Sequence, residues 1–578
     1  MKTLVRQAIL ALSAFSAVLV FSTCNFIKPE VDMIVHNAVI YQVNENWETA
    51  EAMAIDDGKI IKIGRSADLL NDFMSRQVID AHGAAIYPGF IDAHCHFLSY
   101  GRTLRQVDLT GTQSWQAVLD ATVAHHQLHP EQQWVLGRGW DQNDWTEAWQ
   151  KELAITMGDA ALTEDVVVPF PDNGQLNDLF PEIPVVLRRI DGHAMIVNEV
   201  VLNLAGITAA TRVEGGLVVV ENGKPTGVLI DNAMELVDAV IPAPGAQEET
   251  RALLEAQEKC FEVGLTTVDD AGLLKRDIDL IKQLQTRGEL KMRIYAMLSD
   301  DSLNFEYFLR AGIDTTDRLS VRAFKFYADG ALGSRGACLS APYDDVLPQR
   351  NFGMLLDSAG YFRQRARQLF DAGFQMCTHA IGDSANRVML NIYNELLPAG
   401  NDFRWRIEHA QVVHKEDIPL FGKASIIPSV QPTHATSDMY WAWQRLGRNR
   451  VRRAYAYREL KEQLGMVALG TDFPIEGINP INTFFAAVVR KDSKGYPDEG
   501  FQTENALTRE DAIRGMTIWA ALANFQENSR GSLEPGKFAD FVMLDRDLMQ
   551  AEETEILATR VLLTVVNGEI VFDKRVEQ

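Results

Sequence analysis

Cysteine is scarce in this chain: Cys24, Cys95, Cys260, Cys338 and Cys377 are the five among 578 residues. So thin a set builds no disulfide framework, and the thiols are expected to be buried and free while the core carries stability. Positive charge is short as well. A formal net charge of -24 repels phosphate backbones and anionic headgroups, which excludes a general nucleic-acid role. The arginine-rich run from Arg445 to Arg458, "RLGRNRVRRAYAYR", is followed by Glu459 and Glu462 and reads as the solvated face of an exposed helix with its approach loop. Three chemical signatures are also missing: a Gly-x-x-x-x-Gly-Lys phosphate loop, a Gly-x-Ser-x-Gly elbow, and a Gly-x-Gly-x-x-Gly fingerprint in strand context. With 47% hydrophobic and 23% charged residues, a soluble globular protein remains.

At the N-terminus, Lys2 and Arg6 precede an apolar run from Ala8 to Phe21 that stops at Cys24. This run is too short for a comfortable membrane span and reads as a secretory signal over residues 1–24. Cys24 makes it resemble a bacterial lipoprotein signal, which implies an exported protein of the cell envelope or periplasm whose tie to a membrane is a lipid on Cys24. Ordinary cleavage and secretion is the alternative, because Phe21 and Thr23 depart from the lipoprotein pattern.

Alternating apolar and polar residues between turn signals mark "DMIVHNAVIYQVN", "AMAIDDGKIIKIG" and "RQVIDAHGAAIYPGF" as short antiparallel strands, with Asp57-Gly58 as a hairpin turn. The other chain end repeats the grammar around Asn567-Gly568. Residues 30–88 and 525–578 are therefore expected to form two halves of one small β-sandwich. Between them, strand-like runs such as "LTTVDDAG", "VRAFKFYADG", "FQMCTHAIGD", "RWRIEHAQ" and "MVALGTDFP" alternate with helix-like stretches and end in polar residues. That pattern predicts an α/β fold: a (β/α)8 TIM-like barrel over residues 89–524, with an inserted subdomain at about 105–260 where the spacing is too long for plain repeats.

The stretch "IDAHCHF" offers three metal-binding side chains in a row. On a strand, positions i and i+2 share a face, so His94 and His96 can hold one ion while Cys95 points away. Two such histidines could equally be packed polar residues. Other strand-end residues weigh against that: Lys325, His379, His409 and Asp472 all fall at predicted carboxyl ends, and imidazoles with carboxylates suit an ion that keeps a position open for water. His36 and His82 belong to the sandwich, and His125, His126 and His129 ride a polar helix, so these five are expected to be structural or solvated. His414 is expected on the helix after His409, and Asp383 to cap the helix after His379.

The ordered motifs "WVLGRGWDQNDW", "PVVLRRIDGHAMIVN", "GLTTVDDAG", "FYADGALGSR", "THAIGD", "IEHAQ" and "GTDFP" resemble the amidohydrolase superfamily, in the branch that contains N-substituted formamide deformylases. The resemblance implies one or two Zn²⁺ or similar ions. His94, His96 and Asp472 would hold the first, His379 and His409 the second, and Lys325 would bridge them as a carbamate. The alternative for Lys325 is a plain salt bridge to Asp329, and for Asp472 a helix cap. Trp140, Asp141, His193, Arg335 and Gln431 are candidates for the substrate pocket, with His434 in the same group.

The resemblance implies hydrolysis of a C–N bond in an amide, formamide or cyclic amide by attack of metal-bound hydroxide, with Asp472 moving the proton to the leaving nitrogen. An esterase, lactonase or phosphoester hydrolase could use the same centre, and an envelope lipoprotein that binds metal or solute without turnover is the reading from another class. The expected partner is a small-molecule substrate, with homo-oligomerisation open.

Overall fold

The computed structural model describes residues 28–130, 132–145, 170–242, 244–346 and 350–575. The signal segment and Cys24 lie outside the described residues.

Eight parallel strands form the central sheet: Phe90–Cys95, Leu265–Leu273, Arg293–Ser299, Leu319–Tyr327, Gln375–Ala380, Arg406–His409, Ile427–Val430 and Ala468–Leu469, each paired with the next in chain order. The sheet closes beyond its last strand, where Asp472 N donates to His94 O at 2.7 Å and His96 N to Phe473 O at 2.8 Å. Helices return the chain between strands, among them Lys275–Thr286, Ser302–Ala311, Ala359–Ala372 and Asp383–Leu396. Their ends follow local chemistry. Asp301 accepts the amides of Leu303 and Asn304, Ser358 accepts that of Tyr361, and Gly373 ends its helix at φ 75°. Asp383 is the first residue inside its helix rather than the cap, which is Gly382, and its carboxylate accepts Ser340 N at 2.7 Å. His414 sits in the loop ahead of the short helix Pro419–Lys423.

Between the first and second barrel strands lies a separate sheet of six strands, from Val107–Asp108 to Lys224–Asp231. "PVVLRRID" belongs here, as Val185–Arg189, and not to the barrel. The sheet buries its own core, with Trp140, Trp145, Leu176 and Phe180 on one side.

The two chain ends meet in a β-sandwich. One sheet holds Glu30–His36, Ala52–Asp56, Lys59–Gly64 and Met74–Asp80; the other interleaves Val39–Tyr41, Thr49–Ala50 and Ala85–Pro88 with Phe541–Leu544, Val561–Val566 and Glu569–Asp573. Met33, Ile55, Phe541 and Leu563 share the apolar layer between them. Both expected turns are hairpins with positive φ at their two central residues, and they stack: a Cβ on Gly58 would lie 2.6 Å from Asn567 Nδ2. The expectation of purely antiparallel strands needs correction. Glu30–His36 pairs parallel with Met74–Asp80, and Val39–Tyr41 parallel with Ala85–Pro88, because a hairpin and the helix Ser66–Asp72 carry the chain back before it rejoins the sheet. Arg293 ties sandwich to barrel, donating from Nε and Nη2 to Asp540 at 2.6 and 2.9 Å with both side chains buried.

The arginine-rich segment is a solvated face in part, with Arg448, Arg452, Arg453 and Arg458 exposed, but two of its arginines turn inward. Arg445 is 2% exposed and bonds Asp345 and Asn143, and Arg450 caps the carbonyls of Ala341 and Pro342. Asp345 and the surrounding carbonyls supply the compensation that lets guanidinium groups enter the interior. Cys95, Cys260 and Cys377 are buried free thiols, and Cys338 is partly buried.

Candidate metal centre

The side chains singled out at strand ends converge at one mouth of the barrel. Cys95 faces the interstrand core, its thiol 3.4 Å from Asp269 O, while His94 and His96 turn to the cavity side. Hydrogen bonds fix each imidazole. His94 Nδ1 donates to Glu408 at 2.6 Å, His96 Nδ1 to Ala271 O at 2.9 Å, and His409 Nδ1 to Gln431 Oε1 at 2.7 Å. Because carboxylate and carbonyl oxygens only accept, every one of these rings turns an Nε2 lone pair inward.

Lys325 donates from Nζ to His94 Nε2 at 3.0 Å. It does not pair with Asp329, whose oxygens accept the amides of Cys338, Ile381 and Gly382 at 2.7 to 3.0 Å. Asp472 Oδ1 stands 3.3 Å from His96 Nε2 and 3.6 Å from His94 Nε2, and the residue holds a left-handed φ of 63°. Its loop is aimed by Asp92, which accepts Thr471 N, Thr471 Oγ1 and His94 N. Asp472 caps no helix: the next one, Pro480–Val489, is capped by Asn479.

Burial pulls Lys325 down to about 8, against the opposing charges of Glu408 and Asp472. It pulls His94 down to about 4, assisted by Lys325. Burial would raise Glu408, yet Arg406 and His94 hold it far below the usual carboxylate range. For Asp472 burial is likewise outweighed, by the imidazoles of His96, His94 and His409 that surround it.

The donors suit a divalent cation. His94, His96 and Asp472 have ligand atoms within 4.8 Å of one another, and so do His409, His434 and Asp472. Asp472 Oδ1, His379 Nε2 and His434 Nε2 are buried without a hydrogen-bond partner. Neutral imidazoles and an ionised carboxylate left open around one point are the donor set of a catalytic ion. His379 is close, its ring 4.6 Å from that of His409, but it falls outside both triplets.

The centre opens into a cavity of about 630 Å³ whose far wall comes from the inserted sheet. Asp141 and His193 line it; Asp141 pairs with Arg189, and His193 Nδ1 donates to Asp231 at 2.7 Å. Other pocket candidates lie elsewhere. Trp140 is fully buried, donating to Leu187 O; Arg335 pairs with Asp345 behind the wall; Gln431 sits under His409 as its acceptor.

Sequence reasoning missed Glu408, Arg406 and Asp269, which form a wholly buried charged network beneath His94. The signal was in "RIEH": two opposite charges at i and i+2, on one face of a short strand that is buried throughout.

A family model described as "Amidohydrolase family" matches residues 77–572. YtcJ of Bacillus subtilis (strain 168) is 30% identical over 549 residues, covering 93% of this chain and 99% of that one. The N-substituted formamide deformylase of Arthrobacter pascens is 24% identical over 564 residues, covering 94% and 98%. Among solved structures, an uncharacterized metal-dependent hydrolase from Pyrococcus horikoshii OT3 superposes with a TM-score of 0.70 at 25% identity, over 90% of this chain and 99% of that chain. Strand-end histidines and Asp472 at the mouth of a barrel agree with these matches, and the chain belongs to the amidohydrolase family.

Proposed function

We propose that this chain is a zinc-dependent hydrolase of small-molecule C–N bonds, in amides, formamides or cyclic amides. The observation that carries the reading is the convergence of His94 and His96 Nε2 on the unpartnered Oδ1 of Asp472, with His409 grouped on the same carboxylate and each ring fixed by its own acceptor. His94, His96 and Asp472 would hold one ion, His379 and His409 a second, and Lys325 would lie between them. When bound, such an ion acidifies water and polarises a carbonyl.

Lys325 is suited to carbamylation, because burial holds its amine near neutrality and only the neutral amine reacts with CO2. Asp472 takes the proton of the attacking water on Oδ1 and passes it to the leaving nitrogen, whose departure as an anion is prohibitive. His193, oriented by Asp231, presents its other ring nitrogen to substrate across the cavity. An N-substituted formamide deformylase among the relatives supports amides over esters. The signal-like first 24 residues support an exported enzyme, anchored through Cys24.

The test is a panel of N-formyl and N-acyl compounds offered to the zinc-loaded protein, with metal content measured in parallel. Turnover that disappears on replacing both His94 and His96 by Ala supports the reading; unchanged turnover in that variant ends it.

A further inference from the structure

Two arginines reach the cavity from the inserted sheet, and they are partnered differently. Arg189 is closed off: its Nη2 and Nη1 bond Asp141 and Asp191 at 2.5 Å each, and Nε donates to Gln142 at 2.8 Å. Arg138, on the strand Val135–Trp140, has no carboxylate within ion-pair distance among the described residues. Its Nη2 donates to Ile190 O at 2.7 Å, and its Nε is buried with no partner.

Asp191, in the adjoining loop, makes no ion pair with it; its oxygens accept from Arg189 and from the amide of His193. A Cβ on Gly192 would stand 3.5 Å from the Arg138 guanidinium, so the loop backbone packs against that group, which also lines the cavity. Burial, with repulsion from Arg188, pulls it down to about 10, more than the attraction of Asp472 and Asp191 offsets. A guanidinium stays protonated, and a partly desolvated cation without a counter-ion is costly. A carboxylate presented by a ligand matches its planar fork.

Resting on the amide-hydrolase reading above, we propose that Arg138 determines specificity by binding a carboxylate on the substrate, so that the substrates are carboxylate-bearing amides, with N-acyl amino acids as the simplest class. A different role for Arg138, balancing the negative field of Asp472, would affect charged and neutral ligands alike.

Benzoylpropionate tests this, because CH2 replaces the amide NH of N-benzoylglycine and nothing can be cleaved; the matching alcohol is its neutral twin. Calorimetric titration of the zinc-loaded protein should show the carboxylate binding about tenfold to a hundredfold tighter than the alcohol, the scale of a charge-assisted bidentate contact. Arg138→Met should erase that preference, and Arg138→Lys should retain a fraction of it. Equal binding of the two probes by the unaltered protein, or a preference that survives Arg138→Met, overturns the proposal. So does an equal loss for both probes. Should Arg138→Met fail to fold, Arg138→Lys, which keeps a donor for Ile190, replaces it and must still lose most of the preference. An Arg138-dependent preference without cleavage of any N-acyl compound would remove the hydrolase reading and leave the carboxylate site standing. Cleavage of N-acyl compounds without the preference would do the reverse.

Discussion

Glu408 Oε2 and His94 Nδ1 lie 2.6 Å apart, and neither side chain has any exposure to solvent. Arg406 holds Glu408 from the other side at 2.7 Å, so the carboxylate stays ionised and the imidazole stays in the tautomer whose Nε2 faces the cavity. Glu408→Gln keeps an acceptor but loses the charge, and Glu408→Ala loses both. Zinc affinity should fall about tenfold for Gln and nearer a hundredfold for Ala, as measured by competition with a chelator. Equal affinity in all three forms would show that His94 needs no such support.

Replacing both His94 and His96 by Ala should remove most bound metal, as measured by elemental analysis. Cys95→Ser should leave metal content unchanged, because the thiol faces Asp269 O between strands rather than the cavity. A zinc-poor Cys95→Ser protein would refute that assignment of faces.

For Asp472→Asn, amide turnover should fall about a hundredfold or more while part of the metal remains. Activated esters should suffer less, since a nitrophenolate departs without the returned proton. The readout is kcat/KM for a matched ester and amide pair; an unchanged ester-to-amide ratio would mean that Asp472 does not protonate the leaving nitrogen.

Trp140 was a pocket candidate on motif grounds, and its full burial against Leu187 O makes it a core residue of the inserted sheet. Trp140→Ala should cost about 3–5 kcal/mol of local stability. Hydrogen exchange should rise across residues 107–231, whereas Trp140→Phe should leave KM close to the unaltered value.

Asp540→Asn should destabilise the joint between sandwich and barrel by about 3–5 kcal/mol, because Arg293 would be left buried without its counter-charge. Burial would raise Asp540, but Arg293 and its hydrogen bonds lower it, so the folded pKa lies below the unfolded one. Its contribution is then complete above the unfolded carboxylate range and is lost as pH falls through the folded pKa. Urea midpoints of the Asn variant and the unaltered protein should therefore converge at low pH and separate toward neutrality.

The legible parts of this molecule were those that local rules dictate. Strand alternation placed His94 and His96 together and Cys95 apart, and polar strand ends placed Lys325, His379, His409 and Asp472 at one mouth of the barrel. Glu408 was hidden because its partner His94 lies five strands away across the barrel interior, a contact that no local period encodes. The parallel pairs of the sandwich were hidden for a similar reason: alternation says that a strand has two faces, but not which neighbour it meets or in which direction. Trp140 was misread because a motif reports that a residue matters without saying whether it packs or binds.

The interleaving of Ala85–Pro88 with Phe541–Leu544 has a consequence for biosynthesis. While the ribosome is adding the barrel, the early strand has made its amides and carbonyls but has no neighbour on that side, and open β edges of this kind recruit other chains. The sandwich behaves as a clasp that shuts only after residue 544 has emerged. A product stalled or cut before that point displays a raw strand edge, a direct cue for chaperones and proteases to distinguish unfinished chains from finished ones.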